Sequence, residues 1–139
     1  MPATGEDLES WTRQGDVQEM RDALRGWDAD LQRVLSAARS TLRLPLFDRP
    51  PLTYPGRGRL TLLGDAAHPM LPFFAQGASQ AIEDAWMLAC CLRGVARSAL
   101  PAALRRYEAN RRARVADVQS RSARNGRLFT LPDGVGQWA

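Results

Sequence analysis

The sequence predicts an α+β protein that is mostly helical, with long helices and a few short strands. Apolar residues recur at helical spacing in several segments, and the two longest such patterns fill the second half of the chain. The strand-like runs, residues 42–46 and 59–64, are short and flanked by proline and glycine. With 139 residues and 45% hydrophobic content, one unit with a real core is expected, not two domains.

Asp16 and Asp28 are placed to cap two helices, one running to about Arg25 and one over 29–39. In the second, Leu31, Val34, Leu35 and Ala38 form the stripe expected to be buried, and Gly26 punctuates between the two helices. Leu42, Leu44 and Leu46 alternate with Arg43 and Pro45, which suggests at most an edge strand. Residues 49–59 hold three prolines and two glycines and read as a loop. Residues 59–64 read as a buried strand that stops at Gly64. Residues 65–74 contain two further prolines and can be neither a long helix nor a strand.

A helix is expected from Gln76 or Gly77 to about Arg93. Its stripe is Ala78, Ile82, Ala85, Ala89 and Leu92. Trp86, Met87, Leu88 and Cys90 widen that stripe nearly all round, the pattern of a helix buried in a core. A last helix runs from Pro101 to about Asn125, with Leu104, Tyr107, Val115 and Val118 on one face. Arg111 falls on that same face, so it should pair with an acid such as Glu83 or Asp84, because a buried unpaired guanidinium is costly. Residues 128–139 read as irregular.

Composition removes several function classes. The longest apolar run, residues 85–92, is far short of a membrane span, so no membrane role is expected. The first ten residues show no secretory signal, which predicts a cytoplasmic protein. Cys90 and Cys91 are adjacent on a helix, cannot easily bridge each other, and are expected in the core. With a single histidine, no histidine-based metal site is expected. All nineteen basic residues are arginine. Residues 1–100 carry 11 arginines against 12 acids, whereas residues 101–139 carry 8 against 3. The basic end reads as a solvated helix face, and a nucleic-acid partner is not expected.

Chemistry concentrates in residues 62–85. Gly64 removes a side chain where the backbone turns, and Ala66 and Ala67 keep the approach open. Asp65, at the end of an extended run, is placed to accept hydrogen bonds from a ligand's hydroxyls. At the helix opening, the free N–H groups of Gly77, Ala78 and Ser79 and the positive dipole end favour a negative ligand atom. An acid at a strand end beside a helix N-terminus is a geometry that holds a cofactor.

Gly64-Asp65-Ala66-Ala67-His68, Pro72, Gln76-Gly77 and Glu83-Asp84-Ala85 closely resemble the second flavin-binding motif of the FAD-dependent aromatic hydroxylases, the salicylate hydroxylase-like flavoprotein monooxygenases. Ser10-Trp11, Gly15-Asp16 and Trp27 are similar to the segment preceding that motif, and so are Leu46-Phe-Asp-Arg49 and Gly58-Arg59. Tyr54 stands where the family commonly has tryptophan. Residues 106–112, 122–126 and 131–134 look like the helix and tail that follow. The resemblance implies the C-terminal fragment of a two-domain FAD/substrate monooxygenase fold. It divides the chain into the end of a substrate-domain-like region (1–58), the second FAD motif (59–93) and a C-terminal helix and tail (94–139).

By the same resemblance, Asp65 binds the ribityl chain of FAD, with Gly64 and Ala66 beside it. Gly77, Ala78 and Ser79 direct amides at the pyrimidine end of the isoalloxazine ring, where reduction places negative charge. Pro72 would lie against the ring near the point of hydroxylation. Gln76 could reach substrate or flavin, and His68 is either a loop residue bonded to backbone or a catalytic base. Phe73 and Phe74 could line a substrate pocket or pack in the core.

The complete enzyme would use NADH or NADPH and a small hydroxybenzoate-like substrate. The sequence contains no Gly-x-Gly-x-x-Gly for the ADP half of FAD. The chain is therefore expected to be inactive alone and to need a missing FAD-binding region or a homo-oligomer. The second reading is a catalytically silent remnant or interaction module. In that reading Ile82, Trp86 and their neighbours stay exposed and seek a partner.

Overall fold

The computed structural model describes residues 12–53 and 56–131. Ser10, Trp11, Tyr54 and residues 132–139 lie outside the described residues; of the tail expected to be irregular from 128, Leu128 and Phe129 instead continue the last helix. The chain divides into two compact units, Met1–Leu46 and Phe47–Ala139. Mostly helical, with two very short strands among the described residues, it has the expected class.

The first unit is built around helices α1 (Val17–Ala23) and α2 (Ala29–Ala37). Asp16 caps α1 by accepting from the N–H groups of Gln18 and Glu19, and Asp28 caps α2 by accepting from Asp30. The Arg21 guanidinium donates to the carbonyls of Leu35, Ser36 and Ala38, placing a cation on the negative end of α2. Strands β1 (Gln14–Gly15) and β2 (Thr41–Leu42) pair antiparallel, Gln14 opposite Leu42 and Gly15 opposite Thr41. The strand expected over 42–46 therefore stops at Leu42. Of the α2 stripe only Leu35 is buried, whereas Val34 faces solvent.

In the second unit, helix α3 (Gly77–Leu92) packs on helix α4 (Leu100–Phe129). Leu104, Tyr107, Arg111, Val115 and Val118 of α4 are all buried, as the periodicity predicts. The predicted strand over 59–64 does not form. Leu60 makes one bridge with Arg57, and the rest of the run pairs with no strand among the described residues. Side chains of α4 take its carbonyls instead: Arg105 donates to Leu60 at 2.9 Å and Tyr107 to Leu62 at 3.2 Å. Two single 3₁₀ turns, Gly64–Ala66 and Pro72–Phe74, fill the proline-rich stretch.

The α3 stripe is also corrected. Ala78, Ile82, Ala85 and Ala89 face solvent, with Ile82 72% and Trp86 69% exposed, and the buried residues are Gln80, Asp84 and Cys91. Arg111 on the core face of α4 requires acceptors, and only the Gln80–Glu83–Asp84 side of α3 supplies them. Cys90 is exposed and Cys91 buried, both free. No helix of the described residues is long and apolar enough to cross a membrane.

One close approach tests the packing. A Cβ on Gly126 of α4 would lie 2.6 Å from the Phe73 ring, which itself meets Phe129 edge-to-face at 6.1 Å. In an open helix Gly→Ala gains about 1 kcal/mol. Here Gly126→Ala should lower stability by about 1–3 kcal/mol through overpacking. Thermal melts of Gly126→Ala with and without Phe73→Ala check this: the glycine substitution should become stabilising once the ring is removed.

Candidate functional site

The site grows from one turn and one helix start. Gly64 is buried with φ +57°, in the left-handed region, and a Cβ there would sit 3.3 Å from the Ala81 Cβ. Glycine is thus required both by conformation and by the approach of α3. The turn leaves Asp65 and Ala66 exposed on one side and Ala67 and His68 buried on the other. The Asp65 Oδ1 atom lies 3.8 Å from where a Cβ on Gly77 would stand, so carboxylate and helix start are neighbours.

At that helix start Gln76 makes no side-chain cap and no acid occupies the first turn. The first backbone bond runs from Gln80 N–H to Gln76 O at 2.9 Å, leaving the N–H groups of Gly77, Ala78 and Ser79 outside the helical ladder. Ala78 and Ser79 are exposed, and Gln76 and Gly77 half-buried. Pro72 is exposed at the first position of its 3₁₀ turn. Ala75 then adopts φ 50°, a conformation a non-glycine residue holds only when its surroundings impose it.

Those surroundings come from α4. Gln119 donates to the Pro69 carbonyl at 2.9 Å, Ser122 to Leu71, and Asn125 to Phe73 at 3.0 Å. Polar residues three apart on one helix face thus grip alternate carbonyls of the loop and hold the Pro72 turn against α3. Phe73 packs on α4 and Phe74 remains partly exposed. Sequence reasoning misses this ladder, although its signal, polar residues at spacing three beside an apolar stripe, is present.

Beneath the turn lies a buried ionic cluster. Asp84 is fully buried and accepts from the Gly64 N–H at 2.8 Å and from Arg111 Nε at 2.6 Å, and its Oδ2 lies 2.6 Å from His68 Nε2. Arg111 also reaches Glu83 at 2.7 Å and Gln80 Oε1 at 2.9 Å, and Arg114 reaches Glu83. Both acids expected to pair with Arg111 do so. His68 is bonded to a carboxylate rather than to backbone, inside the protein and away from the Asp65 side.

Burial pushes the Asp84 carboxyl up, but hydrogen bonds from His68, the Gly64 amide and Arg111 outweigh it and hold it at about 2. Hydrogen bonds from Arg114 and Arg111 hold Glu83 at about 2 as well. Burial, reinforced by the Asp84 charge, pushes the Tyr107 phenol up.

The arrangement offers a carboxylate for hydroxyl groups, a row of free amides for a negative atom, and a rigid Pro72 turn beside them. This fits the ribityl and pyrimidine parts of a flavin. The chain belongs to the FAD binding domain family, which it matches over residues 7–122. It is 47% identical over 131 residues to a 3-amino-4-hydroxybenzoate 2-monooxygenase of Streptomyces platensis, covering 94% of this chain and 33% of that protein. It is 42% identical over 135 residues to a 6-hydroxynicotinate 3-monooxygenase of Pseudomonas fluorescens, covering 94% and 35%. Among solved structures it superposes on a salicylate hydroxylase substrate complex with a TM-score of 0.85 at 34% identity, over 98% of this chain and 34% of that one. The chain spans about a third of the length of the curated relatives it matches.

The ionic cluster gives two expectations. Arg111→Met should cost about 3–5 kcal/mol in chemical denaturation, because it strands the buried Asp84 charge. Folding lowers both carboxyls from their ordinary 3.8 and 4.5, so the folded state binds fewer protons in acid. Their contribution is present above about pH 4.5 and lost as pH falls toward 2, which denaturation midpoints measured across that range will show.

Proposed function

We propose that this chain forms the ribityl- and isoalloxazine-facing part of the FAD site in a flavoprotein monooxygenase that hydroxylates a small aromatic, hydroxybenzoate-like substrate with NADH or NADPH. The observation that carries the reading is the pairing of exposed Asp65 with the uncapped start of α3. Bound FAD supplies the electron transfer and oxygen activation. Asp65 accepts hydrogen bonds from ribityl hydroxyls, with the backbone of Gly64 and Ala66 shaping the turn. The amides of Gly77, Ala78 and Ser79 face the ring's pyrimidine end, where preorganised donors favour added negative charge. Pro72 limits where substrate can approach, and Gln76 sits within the same short stretch to orient substrate or ring. His68 acts as a positioning residue, since its Nε2 is engaged by Asp84 and it lies on the buried side of the turn.

The ADP half of FAD needs a site outside these 139 residues. The relatives' greater length and the missing Gly-x-Gly-x-x-Gly support this, with the exposed Ile82–Trp86 face available for contact.

Titrating the purified chain with FAD, followed by flavin fluorescence, tests the reading. Saturable binding weakened about 10- to 100-fold by Asp65→Ala is expected, the range for a charged hydrogen-bond acceptor. The absence of any Asp65-dependent binding, by a chain shown to be folded by circular dichroism, would reject this chain as a flavin half-site.

A further inference from the structure

Outside the residues already assigned to the site, one charged side chain reaches the turn that carries Asp65. Arg49 donates from a terminal guanidinium nitrogen to the Ala66 carbonyl. Its own backbone carbonyl accepts from the Gln119 side-chain amide of α4 at 3.3 Å, and that same nitrogen holds the Pro69 carbonyl at 2.9 Å. Arg49 is therefore fixed at both ends, its backbone to α4 and its head to the turn. Both Arg49 and Ala66 are exposed.

An exposed carbonyl loses little when water takes the place of a side-chain donor. What this contact achieves is position. It brings a full positive charge to the residue next to Asp65, and adjacent Cα atoms are only about 3.8 Å apart. The two opposite charges do not pair. Among the described residues Asp65 has neither a hydrogen bond nor an ion pair, and Arg49 has no ion pair and no bond from Nε or Nη1. Asp65 Oδ1 lies instead on the Gly77 side. The turn thus presents an unmatched carboxylate and an unmatched guanidinium together. The first takes hydroxyl donors and the second takes an oxyanion, phosphate above all.

A polyol that ends in a phosphate carries both groups in succession. This inference rests on the flavin reading, in which the α3 amides serve the pyrimidine end and Asp65 the ribityl hydroxyls. The charged group of a flavin nucleotide left unserved is the phosphate that ends the ribityl chain. We propose that Arg49 is a further cofactor-binding residue, whose guanidinium meets the phosphate adjoining the ribityl chain.

The test titrates the purified chain with riboflavin and with FMN, which differ only in that phosphate, followed by flavin fluorescence. FMN should bind about three- to tenfold more tightly than riboflavin at low salt, the range for one exposed charge-assisted contact. The preference should narrow in about 0.5 M salt. Arg49→Gln should bring FMN down to the riboflavin level and leave riboflavin unchanged, whereas Arg49→Lys should keep part of the preference. Arg121→Gln, which removes an exposed arginine paired with Asp117 on α4, should keep all of it. Circular dichroism confirms that each variant is folded. The proposal is overturned if the unsubstituted chain binds both ligands alike, or if Arg49→Gln weakens both equally, the result for an arginine that only caps a carbonyl. It also fails if Arg121→Gln removes as much of the preference, which would mark general basic charge. In each of these outcomes the flavin reading stands so long as Asp65→Ala weakens both ligands. A folded chain that binds neither flavin, or binds both without dependence on Asp65, rejects the flavin reading and this inference with it.

Discussion

The fully buried carboxylate of Asp84 fixes the geometry of everything around it, because it joins three pieces of chain at one point. It accepts from the Gly64 amide in the turn, contacts His68 four residues on, and takes the Arg111 side chain from α4. A charge at such depth is tolerable only with close, well-directed donors. Once they are in place, the turn, α3 and α4 have little freedom to shift independently. The turn carrying Asp65 is thereby held to the start of α3, so the exposed Asp65 side depends on a cluster buried beneath it.

The second constraint is the ladder of Gln119, Ser122 and Asn125 on the 69–73 carbonyls. It solves a common difficulty of proline-rich loops, whose carbonyls have few backbone donors to meet. By gripping this loop, α4 imposes the left-handed Ala75 and directs the chain into α3 with its first amides free. The polar groups of α4 thus act on the site from behind, while its apolar face builds the core. On one flank, buried atoms of His68, Gln119 and Arg105 have no hydrogen-bond partner among the described residues.

Local rules were legible in the sequence wherever neighbouring residues decide the outcome. Asp16 and Asp28 cap their helices, Gly64 adopts a positive φ, and the α4 face of Leu104, Tyr107, Arg111, Val115 and Val118 is buried as its spacing requires. The pairing of Arg111 with α3 acids also followed, because a guanidinium on a core face has few alternatives. The glycine turn and the uncapped helix start could be read from residues 64–85 alone. Resemblance named the family, and the residues themselves suggested the chemistry.

Other outcomes depended on what lies across from a segment. Residues 59–64 have strand composition, but a strand needs a neighbour for its hydrogen bonds, and α4 side chains took the carbonyls instead. The α3 stripe is apolar, yet Ile82 and Trp86 face outward because the polar side of the helix is the one that satisfies Arg111. By itself the sequence determined the helices, their caps and the obligatory glycine at the turn, all set by local geometry and spacing. Which face of α3 is buried and where His68 points were decided only by tertiary structure, since hydrogen-bond partners distant in sequence are chosen by packing.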